Sequence, residues 1–84
     1  MMKRIINVFF SHPIDGRSLH VELDAFMTSK EAISELVSAG VMPSETSYIL
    51  AVKGGKRLEQ EETFQQANVE EGDIIRILIC TEAG

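Results

Sequence analysis

One stretch of this chain reads clearly as a helix, and it lies between stretches that read as strands. Thr28-Ser29-Lys30-Glu31 is a capping box. The threonine oxygen takes the backbone N–H of Glu31, and the Glu31 carboxylate reaches back to the cap. Ala32, Ile33, Leu36 and Val37 follow at the spacing of one apolar helical stripe. Gly40 supplies the stop and Pro43 prevents resumption, which predicts a helix over Ser29–Ala39.

Before that helix the chain alternates. Lys3–Ser11 is rich in Ile, Val and Phe, with Ile6, Val8 and Phe10 on one face and Ile5, Asn7 and Phe9 on the other. Pro13-Ile14-Asp15-Gly16 has turn chemistry. Leu19, Val21 and Leu23 then alternate with Ser18, His20, Glu22 and Asp24, completing an N-terminal hairpin. After the helix, Ser47–Lys53 reads as a third strand with Tyr48, Leu50 and Val52 on one face. Gly54-Gly55 turns the chain into the short segment Lys56–Glu59, and Thr63–Ala67 reads as one helical turn. Glu70–Asp73 is a turn into a last strand, Ile74–Cys80, with Ile75, Ile77 and Ile79 inward and Arg76, Leu78 and Cys80 outward.

Hairpin, helix, strand, short segment and strand make an α+β domain, because one helix between strands can cover one face of a mixed sheet. The helix-containing connection crosses that face, so the first and last strands can lie side by side and parallel at the centre. That order is the β-grasp arrangement. With 84 residues there is room for one domain, and its core has to be compact.

The net charge of −5, with basic residues scattered along the chain, argues against nucleic acid as a partner. No apolar run approaches the ~20 residues that span a bilayer, so no membrane partner is expected. Met1–Phe10 has an apolar run broken by Asn7 and followed by His12-Pro13 rather than by a small-residue cleavage site, so it reads as a first strand and not as a leader. Cys80 is the only cysteine, which leaves no disulfide framework. A cytoplasmic monomer is expected.

The residues from Lys56 onward resemble the ubiquitin-like family. That family shows a Lys-x-Leu, Thr-Leu, Asn-Ile succession before its final strand. Here the positions hold Lys56 and Leu58, Thr63-Phe64 and Asn68-Val69. Gly40-Val41-Met42-Pro43 is similar to the Gly-Ile-Pro-Pro exit of the family's helix, and the distance from the last turn to the final glycine also matches. The resemblance extends over nearly the whole chain. It implies a ubiquitin-like β-grasp domain over residues 1–80 and a flexible tail over 81–84.

The resemblance also implies a function, that of a protein modifier with a single C-terminal glycine. The Gly84 carboxylate would be adenylated by an activating enzyme, passed to a cysteine as a thioester and attacked by a target amine. Lacking a Cβ, Gly84 can enter a narrow cleft. The tail departs from the family pattern: Ala83-Gly84 replaces di-glycine, and Thr81-Glu82 replaces a basic segment. These departures point to a dedicated, bacterial set of activating and conjugating enzymes, with a deconjugating protease. The resemblance further implies a docking patch on the outer sheet face at Ile49, Ala51, Arg76 and Leu78, and a chain-forming lysine at Lys56.

Other residues carry less. Gly54-Gly55-Lys56 lacks the earlier Gly, the following Ser or Thr and the helix of a phosphate loop. His12 and His20 stand in no metal-ligand spacing, and Cys80 has no base near it in sequence. No cofactor, no metal and no catalysis by the chain itself are expected. Two alternatives stay open: a non-conjugated ubiquitin-like binding subunit, of the type found in type VII secretion or multicomponent monooxygenases, and a β-grasp sulfur carrier.

Overall fold

The computed structural model describes residues 3–44 and 46–80. Among these residues four strands and one α-helix follow in the order β1 (Ile5–Ser11), β2 (Ser18–Asp24), α1 (Ser29–Ser38), β3 (Ser47–Ala51) and β4 (Ile74–Cys80), with a short 3-10 turn at Lys53–Gly55 after β3. They form one sheet in the order β2-β1-β4-β3. β1 pairs antiparallel with β2 and parallel with β4, and β3 pairs antiparallel with β4. The two parallel strands are central, with α1 in the connection between them. This is the mixed, single-helix sheet of a β-grasp fold.

The alternation along each strand decides which face is covered. Ile6, Val8 and Phe10 from β1, Leu23 from β2, Tyr48 and Leu50 from β3, and Ile75 and Ile77 from β4 share one core with Ala32 and Leu36 of α1. Leu58, Phe64 and Val69, from the connection after β3, close its far side. Burying each of these larger side chains contributes roughly 1.5–3 kcal/mol.

The capping box forms as expected, with Glu31 N–H donating to Thr28 Oγ1 and Thr28 N–H to Glu31 Oε1. The other two N–H groups of the first turn are also taken. Ser29 N–H donates to the Glu62 carbonyl at 2.9 Å and Lys30 N–H to the Gln60 carbonyl at 3.1 Å. At the far end Gly40 has φ 79°, donates to the Val37 carbonyl, and leaves Val41 N–H to reach the Leu36 carbonyl. That is a Schellman closure, which requires a residue tolerant of positive φ. Thr63–Ala67 repeats the scheme in miniature. Thr63 and Gln66 cap each other, Ala67 N–H donates to the Thr63 carbonyl, and Asn68 takes the positive φ of 60°.

Three boundaries differ from the sequence reading. β1 begins at Ile5 rather than Lys3, because Arg4 N–H donates to the Asp24 side chain instead of a strand carbonyl. The helix ends at Ser38 with Ala39 as its C-cap. β3 stops at Ala51 rather than Lys53. Val52 N–H donates to the Lys56 carbonyl and Lys53–Gly55 tightens into a 3-10 turn with both glycines at positive φ.

Ile79 is a correction of cover rather than of facing. It sits on the helix-side face of β4 opposite Tyr48, as its parity requires, yet it is 43% exposed. β4 outruns the core that covers Ile75 and Ile77, so the same face becomes open at its end.

Candidate functional site

The face of the sheet turned away from α1 carries the candidate docking site. Residues opposite one another on an antiparallel pair have neighbouring side chains. Ile49 of β3 lies opposite Leu78 of β4, Ala51 opposite Arg76, and Ser47 opposite Cys80. Ile49, Leu78 and Cys80 are half-buried and Arg76 is exposed. Ile49, Arg57, Leu78, Ile79 and Cys80 line a shallow pocket of about 220 Å³.

Ala51 is the member of the expected patch that the structure removes. It lies on the outer face, but it is only 4% exposed and stands outside the main core cluster. An isolated bridge brings Arg57 beside it, and Arg76 is its partner in register on β4. Its single methyl is too short to reach past such neighbours. The accessible apolar pair is therefore Ile49 and Leu78, with Arg76 beside them.

A second apolar area lies on the same face and was not singled out from the sequence. Phe9 of β1 is the register partner of Ile74 of β4, which is 62% exposed. The Phe9 ring stacks on His20 of β2 with centroids 5.2 Å apart. The alternation already places Phe9 outward, so the signal was present. What it lacked was the β1–β4 register that brings Ile74 alongside.

Polar ties hold this area. His20 Nε2 is 3.0 Å from Asn7 Oδ1. Asn7 in turn donates its N–H and its Nδ2 to the two carboxylate oxygens of Glu71, at 2.8 and 3.0 Å. The Asn7 backbone N–H, then its side-chain amide, hold the Glu71 carboxyl below its ordinary pKa. The turn before β4 is thus fastened to β1, aided by Gly72 N–H donating to the Asn7 carbonyl at 2.7 Å.

Lys56 is exposed, and its Nζ is 3.1 Å from Glu62 Oε2. The Glu59 backbone N–H, together with Lys56, lowers the Glu62 pKa. Gly54-Gly55-Lys56 is a turn that leads into the bridge at Arg57. His12 is structural and largely covered. Its Nε2 is 3.1 Å from the Val41 carbonyl, and its Nδ1 takes the Ile14 N–H, so the hairpin turn is pinned to the exit of α1. Among the described residues no His, Cys, Asp and Glu cluster could hold a metal ion. No helix among them is long and apolar enough to cross a membrane. Gly84 and the tail residues Thr81, Glu82 and Ala83 lie outside the described residues.

No protein-family model matches the sequence, and no curated protein does. Solved structures do match. A designed protein based on ubiquitin superposes with a TM-score of 0.76 at 19% identity, covering 94% of this chain and 93% of that one. The ubiquitin of Caldiarchaeum subterraneum superposes with a TM-score of 0.68 at 22% identity, covering 96% of this chain and 100% of that one. At such identities the likeness is one of backbone architecture: this chain has the ubiquitin-like β-grasp fold.

Proposed function

We propose that this chain is a ubiquitin-like protein modifier of the cytoplasm. In this reading it is recognised on its outer sheet face through Ile49, Leu78 and Arg76. Dedicated activating and conjugating enzymes then join it to target proteins through the Gly84 carboxylate, and a protease removes it. The chain supplies recognition and a carboxyl group, and the chemistry belongs to its partners. Lys56 is the proposed attachment point for a second copy in a chain.

The observation that carries the reading is the Ile49–Leu78 pair. Two branched aliphatic side chains meet in register on the uncovered face, with a guanidinium beside them. Nothing in the folding of the core calls for them there. An apolar patch with a charged neighbour suits protein docking. The role of Gly84 rests on the resemblance of residues 56–84 to the family.

The test is to tag the protein at its N-terminus, isolate it from its native cells and digest the adducts with a Glu-specific protease. Conjugation through Gly84 leaves an Ala-Gly remnant on target amines, since cleavage falls after Glu82. If no adducts form and deletion of Gly84 leaves function intact, the chain is instead a non-conjugated binding subunit.

A further inference from the structure

Two arginines flank Ala51 on the outer sheet face. Arg57 is its partner in the isolated antiparallel bridge, and Arg76 is its partner on β4. Val52 N–H donates to the Lys56 carbonyl and Leu58 N–H to the Leu50 carbonyl, on either side of Ala51 and Arg57. These two are therefore a non-hydrogen-bonded pair, whose Cα atoms lie about 4.5 Å apart. Ala51 turns its own N–H and C=O toward Arg76, and the Cα atoms of such a pair are about 5.5 Å apart. Partners across a ladder share a face, so both arginine stems leave the sheet beside one methyl group. Both side chains are exposed.

Other basic groups are answered within the chain. Lys53 Nζ lies 3.3 Å from Asp73 Oδ1 and Lys56 Nζ 3.1 Å from Glu62 Oε2. Arg17 is paired with Asp15, and Arg4 donates to Gln65. Among the described residues neither Arg57 nor Arg76 meets a carboxylate. Two like charges this close repel. In a chain of net charge −5 they make an unanswered positive spot, next to the apolar pair Ile49 and Leu78.

We propose that Arg57 and Arg76 form a clamp for a carboxylate that a partner protein presents close to an aliphatic side chain. The methyl of Ala51 is short, which leaves the space between the two stems open. A carboxylate there accepts from both guanidinium groups, whose planar forks suit its oxygens. Ile49 lies two residues along β3, about 7 Å away at the rise of a strand. The partner's aliphatic side chain enters there, in the pocket of about 220 Å³ lined by Ile49, Arg57, Leu78, Ile79 and Cys80. Nucleic acid does not match, because its phosphates call for a run of basic residues and two are present. The inference rests on the docking face of the proposed function, to which it adds Arg57 and the partner's chemistry. It does not depend on Gly84.

The test selects short random peptides, displayed on phage, against the immobilised full chain at about 0.15 M salt. Enrichment of peptides with Asp or Glu within one helical turn of an aliphatic residue is expected. The enriched peptide, titrated into the isotope-labelled chain, shifts the amides of Ile49, Ala51 and Leu78. Arg57→Gln and Arg76→Gln each weaken it roughly tenfold. Exchanging the peptide carboxylate for an amide weakens binding to the parent, and has little further effect once both arginines are Gln. Neither substitution lowers the urea midpoint, since each removes repulsion rather than a contact.

Enrichment of basic or purely apolar peptides overturns the clamp. So does a selection that enriches nothing, or a peptide indifferent to both substitutions. If no peptide binds and Glu82→Gln moves the Ala51 amide of the free chain, the clamp belongs to the chain's own tail and the proposal falls. Self-association abolished by Arg57→Gln would assign it to a second copy instead. All these readings use the unconjugated chain. A failed clamp therefore leaves the Ala-Gly remnant test standing, and absent conjugates leave the clamp standing.

Discussion

Thr28 and Thr63 face each other across an isolated antiparallel bridge, so the residue that caps α1 also anchors the turn leading toward β4. Around that bridge the carbonyls of Gln60 and Glu62 take the first N–H groups of the helix, and the Met27 carbonyl takes Phe64 N–H. The N-terminus of α1 is therefore satisfied by a distant segment. Helix and connection should come apart together.

Thr28→Ala is expected to lower stability by about 1 kcal/mol, the usual cost of losing an N-cap oxygen. Thr28→Ser should cost much less, since the acceptor survives. Urea unfolding monitored by circular dichroism checks both. Equal losses for the two substitutions would mean that packing of the threonine methyl matters more than the cap.

Phe64 is fully buried and comes from the connection rather than from a regular element. Phe64→Ala should cost about 3–5 kcal/mol through lost burial and the cavity left behind. In a domain this small that removes most of the stability. Amide spectra of the variant should show a largely unfolded chain at 37 °C.

Acid should loosen the contact between β1 and the turn before β4. The Glu71 pKa is lowered from 4.5 by the Asn7 backbone N–H and then by its side-chain amide. A carboxyl whose folded pKa is depressed adds stability above its unfolded value and loses it as pH falls through the folded one. The loss therefore begins below about pH 4.5. Glu71→Gln should flatten the stability–pH curve in that range, and thermal melts from pH 6 to pH 3 measure it. Asp15 and Glu62 have lowered values too, and keep their own share of the slope.

Leu78→Asp should leave the fold within about 1 kcal/mol of the parent, because the side chain is outside the core. In cells the same variant should form no conjugates. Arg76→Ala should reduce them without abolishing them. Undiminished conjugation by Leu78→Asp would remove the Ile49–Leu78 pair from the docking surface.

Gly40→Ala should cost about 1–2 kcal/mol from backbone strain at positive φ. No clash contributes, since a Cβ there would meet no atom within 4 Å. Gly40→Asn should cost less than Gly40→Ala, and a comparison of urea midpoints separates them.

Local chemistry was legible without coordinates. The capping box, the Gly40 stop, the hairpin and the inward set Ile6, Val8 and Phe10 depend on residues a few positions apart. Periodicity reports such neighbours directly. The parallel centre of the sheet was legible as well, because one crossing helix leaves few ways to join these strands. The outer face was read only in part. Ile49 and Leu78 were named from the sequence, while Phe9 and Ile74 were not paired until the β1–β4 register was known.

Alternation alone settled which side of a strand each residue takes, and that held for Ala51 and Ile79 alike. Whether a side is covered was decided by the tertiary structure. Arg57 folds back beside Ala51 and closes it, while β4 runs beyond the core and leaves Ile79 open. The contact of Asn7 with Glu71 belongs to the same class. The physical reason is range: facing follows from one strand's own geometry, whereas cover and pairing depend on what distant parts of the chain bring alongside.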